Sequence, residues 1–307
     1  MNSKNKTFFG EFRALYQNRH CYQEDVDVFL LGRKTNNICN IEKLLEFKGM
    51  DFKQHKTIYL RTPGRNFFKV VNNSYVYLVR GYYDDINSSG GNNNVTVDIY
   101  SKETNDWRVS SKRPDERISF CVCLFMQKLI VASGYDSDHN VLDTCYEYDV
   151  KSDKWSYVAN VNTGRVYAAC AVFDGQVVVS GGLGDGLMPL SSIEAYDHYE
   201  NKWNFLPNMT HIRFCHSSVS MGNKLLVIGG ECPLDEPRYS WEVFDKISNK
   251  FSIFQSRPER YGFNTYLLEG LFVGRKVLFD GGWSDDKLYL YVLDVDEKSW
   301  SVIKVEV

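Results

Sequence analysis

The hydrophobic pattern of the chain is dominated by short apolar runs that stop at glycine. KLIVASG (128–134), QVVVSGG (176–182), KLLVIGG (224–230) and KVLFDGG (276–282) all have this form. Such a run predicts a buried strand ending in a turn that needs positive φ or a close backbone approach. Ahead of two of them stand alternating stretches, AACAVF (168–173) and HSSVSM (216–221), which read as half-buried strands. Behind each run comes an aromatic-rich segment, a polar turn and a terminal aromatic. The copies are VDIYSKETNDW ending at Trp107, CYEYDVKSDKW at Trp155, IEAYDHYENKW at Trp203, WEVFDKISNKF at Phe251 and LYVLDVDEKSW at Trp300. From Trp107 onward the steps between terminal aromatics are 48, 48, 48 and 49 residues, a structural period.

Four short strands per period, joined by tight polar turns, are the content of one blade of a β-propeller. The expected fold is therefore all-β, a six-bladed propeller of four-stranded antiparallel blades spanning 26–307. Its units are read as 26–60, 61–112, 113–160, 161–208, 209–256 and 257–307. The glycines are expected to make the sharp turns, the tyrosine to pack inside a blade, and the terminal tryptophan to fill the wedge between blades. The structural positions so assigned are Gly81, Gly134, Gly181, Gly182, Gly229, Gly230, Gly281 and Gly282, with Trp107, Trp155, Trp203, Phe251 and Trp300. Unit one is degraded: VDVFLLGRK (26–34) serves as its glycine strand, and Phe52 stands where a tryptophan is expected. Only SVIKVEV follows Trp300, so the strand that closes the first blade is expected from the N-terminal segment 1–25.

Composition narrows the function. The formal net charge is −3, from 36 basic and 39 acidic residues without long like-charge blocks, which leaves no electrostatic footprint for nucleic acid or an anionic membrane. The N-terminus mixes Lys, Glu and Arg among its aromatics and reads as neither a signal peptide nor an anchor. The eight cysteines are scattered without a C-x-x-C pair, as expected for reduced thiols in a cytoplasmic protein. CVC at 121–123 places two sulfurs on one strand face, with no further metal ligand nearby in sequence. The sequons at Asn5, Asn72, Asn94 and Asn208 are expected to be inert without secretion. The loop NSSGGNNN (87–94) reads as solvated.

The run, Gly-Gly, Tyr and Trp spacing resembles the kelch repeat over nearly the whole chain. It is loosest at YLVRGY in unit two and VASGY in unit three, where one glycine replaces two. The resemblance to kelch-like proteins implies a non-catalytic module for substrate recognition, in the best-known subfamily as part of adaptors for cullin-type ubiquitin ligases. In those the BTB and BACK domains precede the propeller. This chain begins shortly before its first repeat, so a free-standing propeller, a truncated product or a propeller working with a separate subunit is expected. An actin-associated or scaffolding kelch protein is the alternative. A metal-dependent propeller enzyme is the minor one: His211 and His216, the closest of six histidines, are poorly spaced for chelation on a strand. No phosphate cradle or nucleophile turn is present, so neither a metal nor a cofactor is expected.

In the family, partners are gripped just after the arginine that opens each blade and just beyond the double glycine. Carried onto this chain, the first set is Asn66, Ile118, Val166, Phe214 and Tyr261. The second is Arg33, Tyr82, Tyr135, Leu183, Glu231 and Trp283. Of these, Arg33, Asn66, Tyr82, Tyr135, Phe214, Tyr261 and Trp283 are expected to bind a protein or peptide on one face of the ring, with exposed aromatics as anchors. The near absence of arginine from this ring sets it apart from family members that capture acidic peptides.

Overall fold

The computed structural model describes residues 25–28, 41–48, 51–59, 67–71, 74–80, 96–230, 240–255, 270–273, 276–284 and 287–306. Their strands form six antiparallel sheets in which each strand pairs with the next along the chain. The first sheet holds β1 (Asp25–Val28), β2 (Ile41–Lys48) and β3 (Asp51–Tyr59). The second holds β4 (Phe67–Val71), β5 (Tyr75–Arg80), β6 (Val97–Ser101) and β7 (Asp106–Val109). The third holds β8 (Cys121–Phe125), β9 (Lys128–Tyr135), β10 (Val141–Asp149) and β11 (Lys154–Val158). The fourth holds β12 (Ala169–Phe173), β13 (Gln176–Ser180), β14 (Ile193–Asp197) and β15 (Lys202–Leu206). The fifth holds β16 (Ser217–Met221), β17 (Lys224–Ile228), β18 (Ser240–Asp245) and β19 (Lys250–Gln255). The sixth holds β20 (Gly270–Val273), β21 (Lys276–Ser284), β22 (Lys287–Asp294) and β23 (Ser299–Glu306).

The first strands of successive sheets pack side by side, β4 on β8, β8 on β12, β12 on β16 and β16 on β20. The second to sixth sheets therefore radiate from a common inner line, the arrangement of a β-propeller, and the all-β expectation holds. The fourth strand expected for the first sheet, from segment 1–25, lies outside the described residues except for Asp25, which opens β1. The loop 87–94 also lies outside them.

The hydrophobic core lies between sheets. One cluster joins Val79 and Ile99 of the second sheet to Val122 and Tyr148 of the third. The next joins Cys121 and Ile130 to Val179 and Trp203, and two more join the fourth sheet to the fifth and the fifth to the sixth. The glycine-terminated runs of the third, fourth and fifth sheets are apolar on both faces because each of these sheets packs against a neighbour on either side.

The same packing corrects the place of the tyrosine. A blade is one sheet thick and has no interior, and the tyrosine is the cross-strand partner of the terminal aromatic: Tyr100 of Trp107, Tyr148 of Trp155, Tyr196 of Trp203 and Phe244 of Phe251. Cross-strand partners share a face. Both rings therefore lie in the junction with the preceding sheet, with centroids 4.8 Å apart for Tyr148 and Trp155 and 5.2 Å for Tyr196 and Trp203. The tryptophan does fill the wedge, and its indole N–H fastens it there. Trp155 donates to the Ser111 carbonyl at 3.1 Å and Trp203 to the Ala159 carbonyl at 2.8 Å, each just past the last strand of the sheet before.

The polar turn between the third and fourth strands explains its own composition. Asp149, Asp197, Asp245 and Asp294 each accept two backbone N–H bonds from the turn they open. Two residues before each terminal aromatic the chain enters the left-handed region, at Asn105, Asp153, Asn201, Asn249 and Lys298. Asn and Asp tolerate that conformation best among residues with a side chain. In three copies that side chain also receives the tyrosine hydroxyl: Tyr100 to Asn105, Tyr148 to Asp153 at 2.5 Å and Tyr196 to Asn201 at 2.8 Å. Burial raises the Tyr196 phenol to about 12.

Candidate interaction face

In an up-and-down sheet the loops entering the first strand and those joining the second to the third strand lie at the same end. At that end a chain of backbone bonds ties sheets together. Ser119, Tyr167 and Cys215, each two residues past an arginine, all have positive φ. The Tyr167 N–H donates to the Ser119 carbonyl at 3.3 Å, and the Cys215 N–H to the Tyr167 carbonyl at 2.8 Å. The glycine that closes each run makes a parallel link, Gly134 to the Arg165 carbonyl at 3.0 Å and Gly182 to the Arg213 carbonyl at 2.7 Å. A Cβ on Gly182 would stand 2.6 Å from the Val166 carbonyl oxygen, so no side chain fits.

The arginines that served only to set the register are the strongest polar feature of this end. Arg117, Arg165 and Arg213 are buried, and each donates through Nη1 to two carbonyls. These are Ser133 and Thr144, Gly181 and Ser192, and Gly229 and Ser240. Nη2 reaches the hydroxyl of Thr144, Ser192 or Ser240. Arg165 pairs with Glu194 at 2.5 Å and Arg213 with Glu242 at 3.1 Å, both carboxylates fully buried. Each glutamate also caps the loop that enters its sheet, Glu194 accepting from the N–H groups of Asn162 and Thr163, and Glu242 from those of Thr210 and His211. Tyr146 takes the glutamate's place in the third sheet, so Arg117 lies over its ring at 5.0 Å and pairs with Asp115. Asp115 also holds Arg113, whose pKa burial and the nearby Arg117 lower to about 9. The signal for the buried pairs was present in the sequence, as an acidic residue 29 positions after the arginine in two consecutive units.

The two sets of expected contact positions are brought together by backbone pairing. Ile118 and Tyr135 exchange N–H···O bonds of 3.0 and 2.8 Å, and Val166 and Leu183 exchange bonds of 2.9 and 2.8 Å. Their exposure differs from the expectation of projecting aromatics. Tyr135 is only 8% exposed, edge-on to Tyr167 and His139, and Val166 is fully buried. Ile118, Leu183 and Phe214 are half-buried. Trp283 is placed in β21, paired with Leu288 just after the irregularity at Gly281 and Gly282. Arg33, Asn66, Tyr82, Tyr261, Glu231 and Gly81 lie outside the described residues.

Among the described residues, two exposed apolar side chains at this end are ones that the repeat did not indicate. The loop from β13 to β14 contains a single 3-10 turn at Asp185–Leu187, and it projects Leu187 and Met188, 54% and 65% exposed. The Leu190 N–H bonds the Gly182 carbonyl, and the Arg213 N–H bonds the Leu190 carbonyl, so the base of this loop is tied to both its own and the next sheet. Among the described residues no group of three or more His, Cys, Asp or Glu is arranged to hold a metal ion.

The family described as KLHDC2/KLHL20/DRC7 Kelch-repeats domain matches residues 66–257, more than half of the chain. The chain belongs to the kelch-repeat family. It is similar to the F-box/kelch-repeat protein At1g15670 of Arabidopsis thaliana, 31% identical over 72 residues that cover 23% of this chain and 20% of that protein. The chain thus matches about a fifth of that relative's length. A kelch-repeat domain is a protein-interaction module. The loop-bearing end described above, rigid at its base and apolar at its tip, suits that role.

Proposed function

We propose that this kelch propeller is a non-catalytic, cytoplasmic recognition module that delivers a bound protein to a cullin-type ubiquitin ligase. The partner is held at the loop-bearing end. The observation that carries the reading is the exposed Leu187–Met188 tip, standing on a base whose backbone is pinned to two sheets. An apolar knob on a pre-organised loop loses little entropy on binding, which is where interface energy concentrates. Half-buried Ile118, Leu183 and Phe214 extend the apolar surface along the two sets of positions that the family uses.

The test is affinity capture with the wild type and a Leu187→Asp, Met188→Asp double variant. Exposed loop positions leave the thermal melt unchanged, while removal of a central anchor costs about 2 kcal/mol, roughly thirtyfold in affinity. Recovery of a ligase subunit and a second protein with the wild type, and loss of the second protein with the variant, supports the reading. Co-sedimentation with filamentous actin that the variant abolishes replaces it with the scaffolding alternative. Equal capture by both proteins removes the loop from the interface.

A further inference from the structure

The junction between the third and fourth sheets contains three thiols that the sequence shows only as CVC and a distant cysteine. Cys121 and Cys123 occupy the same face of β8, the innermost strand of the third sheet, and Cys170 faces them from β12. The contacts are reciprocal. The Cys121 thiol donates to the Ala168 carbonyl at 3.5 Å, and the Cys170 thiol donates to the Val122 carbonyl at 3.1 Å, between the two cysteines of β8. Cys170 is also within hydrogen-bonding reach of both other sulfurs. Cys121 is buried, whereas Cys123 and Cys170 are partly exposed, and all three are free thiols. Cys145 and Cys215, the other described cysteines, are buried.

We propose that Cys123 and Cys170 are a peroxide-sensitive dithiol whose oxidation stitches the third sheet to the fourth. A hydroperoxide is attacked by the accessible Cys123 sulfur. An S–O bond forms as the O–O bond breaks, the sulfur loses two electrons to give a sulfenic acid, and the distal oxygen takes the thiol proton and leaves as an alcohol or as water. Cys170 sulfur then attacks the sulfenyl sulfur, the S–S bond forms, the S–O bond breaks, and water leaves with the Cys170 proton. The bond with Cys121 lowers the Cys170 thiol, but contact with Cys123 and burial outweigh it and hold that thiol well above its usual range, which leaves Cys170 as the second thiol to react.

The full chain is treated with hydrogen peroxide, quenched, unfolded in an alkylating reagent and mapped by mass spectrometry. The expected result is loss of two of the eight thiols, one linked peptide pair joining Cys123 to Cys170, and recovery of both thiols with a reductant. Cys170→Ser should abolish the linked pair and leave Cys123 trapped by a sulfenic-acid reagent. Cys123→Ser should abolish both products. Cys121→Ser, an adjacent change with the same packing cost, should leave the Cys123–Cys170 link intact. A full thiol titre after peroxide, a link that survives Cys170→Ser, a link lost in Cys121→Ser, or cross-links spread over Cys145 and Cys215 would each overturn the proposal.

Discussion

The junction between the third and fourth sheets and the one between the fourth and fifth have the same backbone and opposite chemistry. In the fourth–fifth junction, Ser180 contacts the His216 Nε2 at 2.9 Å and the Ser218 hydroxyl at 2.8 Å. One step of 48 residues earlier the same positions are Ala132, Ala168 and Cys170. The glycine turn changes with them. A Cβ on Gly181 would stand 2.6 Å from the His216 ring and closer still to the Arg213 carbonyl oxygen, whereas the equivalent residue one junction earlier is Ser133, where Ala168 replaces the histidine. Ser133 keeps the left-handed backbone, φ 63° against 55° at Gly181. Its hydroxyl accepts the Arg165 N–H and donates to the Leu142 carbonyl, both at 2.7 Å. The repeat thus prescribes a backbone and a volume to be filled, while the chemistry that fills it is free to vary when both sides of a junction change together.

The buried arginines sharpen the contrast and yield the largest expected effect. Glu194→Ala leaves Arg165 buried without its carboxylate and two loop N–H groups without an acceptor, so it should destabilise the fold by about 3–5 kcal/mol. In the third sheet the equivalent charge comes from Asp115, about a quarter exposed, where water replaces a lost carboxylate. Asp115→Asn should therefore cost only ~1–2 kcal/mol in the same denaturant titration. Equal losses would mean that burial of the carboxylate is irrelevant to the pair.

Trp203→Ala removes a buried ring and its indole bond to the preceding sheet, for an expected cost of about 3–5 kcal/mol. Trp155→Ala, at the more exposed copy, should cost less, and the reverse order in thermal unfolding would contradict the wedge role derived for the buried ring. Gly181→Ser copies one junction into the other and should cost ~1–3 kcal/mol through overpacking against the Arg213 carbonyl and the His216 ring. Gly181→Ser with His216→Ala should be more stable than the glycine change alone, a coupling that a double-mutant cycle reads directly.

The smallest effect is a pH slope. Burial, with Arg213 and Arg165 nearby, lowers the His216 pKa to about 3, so the native imidazole stays neutral. The unfolded chain takes up its proton near 6.5, hence stability is full above that value and falls as the pH drops toward the native value, by about 1.4 kcal/mol per pH unit. His216→Gln should flatten the loss seen between about pH 7 and about pH 5. An unchanged slope would assign the acid sensitivity to other groups.

Much of the fold was legible because it is periodic. The glycine-ended runs, the Asp-opened turns and the terminal aromatics recur at near-constant spacing, and each has a local physical cause readable without coordinates. The tyrosine was misplaced because a linear pattern indicates that a residue is buried, not which neighbouring layer buries it. The loop-bearing end was legible as a register but not as a surface. Tyr135 and Val166 occupy the expected positions and are covered, whereas Leu187 and Met188 sit in an irregular loop that no repeat describes.

The sequence by itself determined the strand count per unit, the turns and the family, since these depend on backbone conformation and local apolar pattern. Only the tertiary structure decided what meets across a junction: Cys170 between Cys121 and Cys123, Glu194 beneath Arg165, His216 against Gly181. Those contacts join residues about one repeat apart or bridge separate strands of a sheet. Their chemistry arises when neighbouring sheets close on one another and exclude water, and no local pattern along the chain records that event.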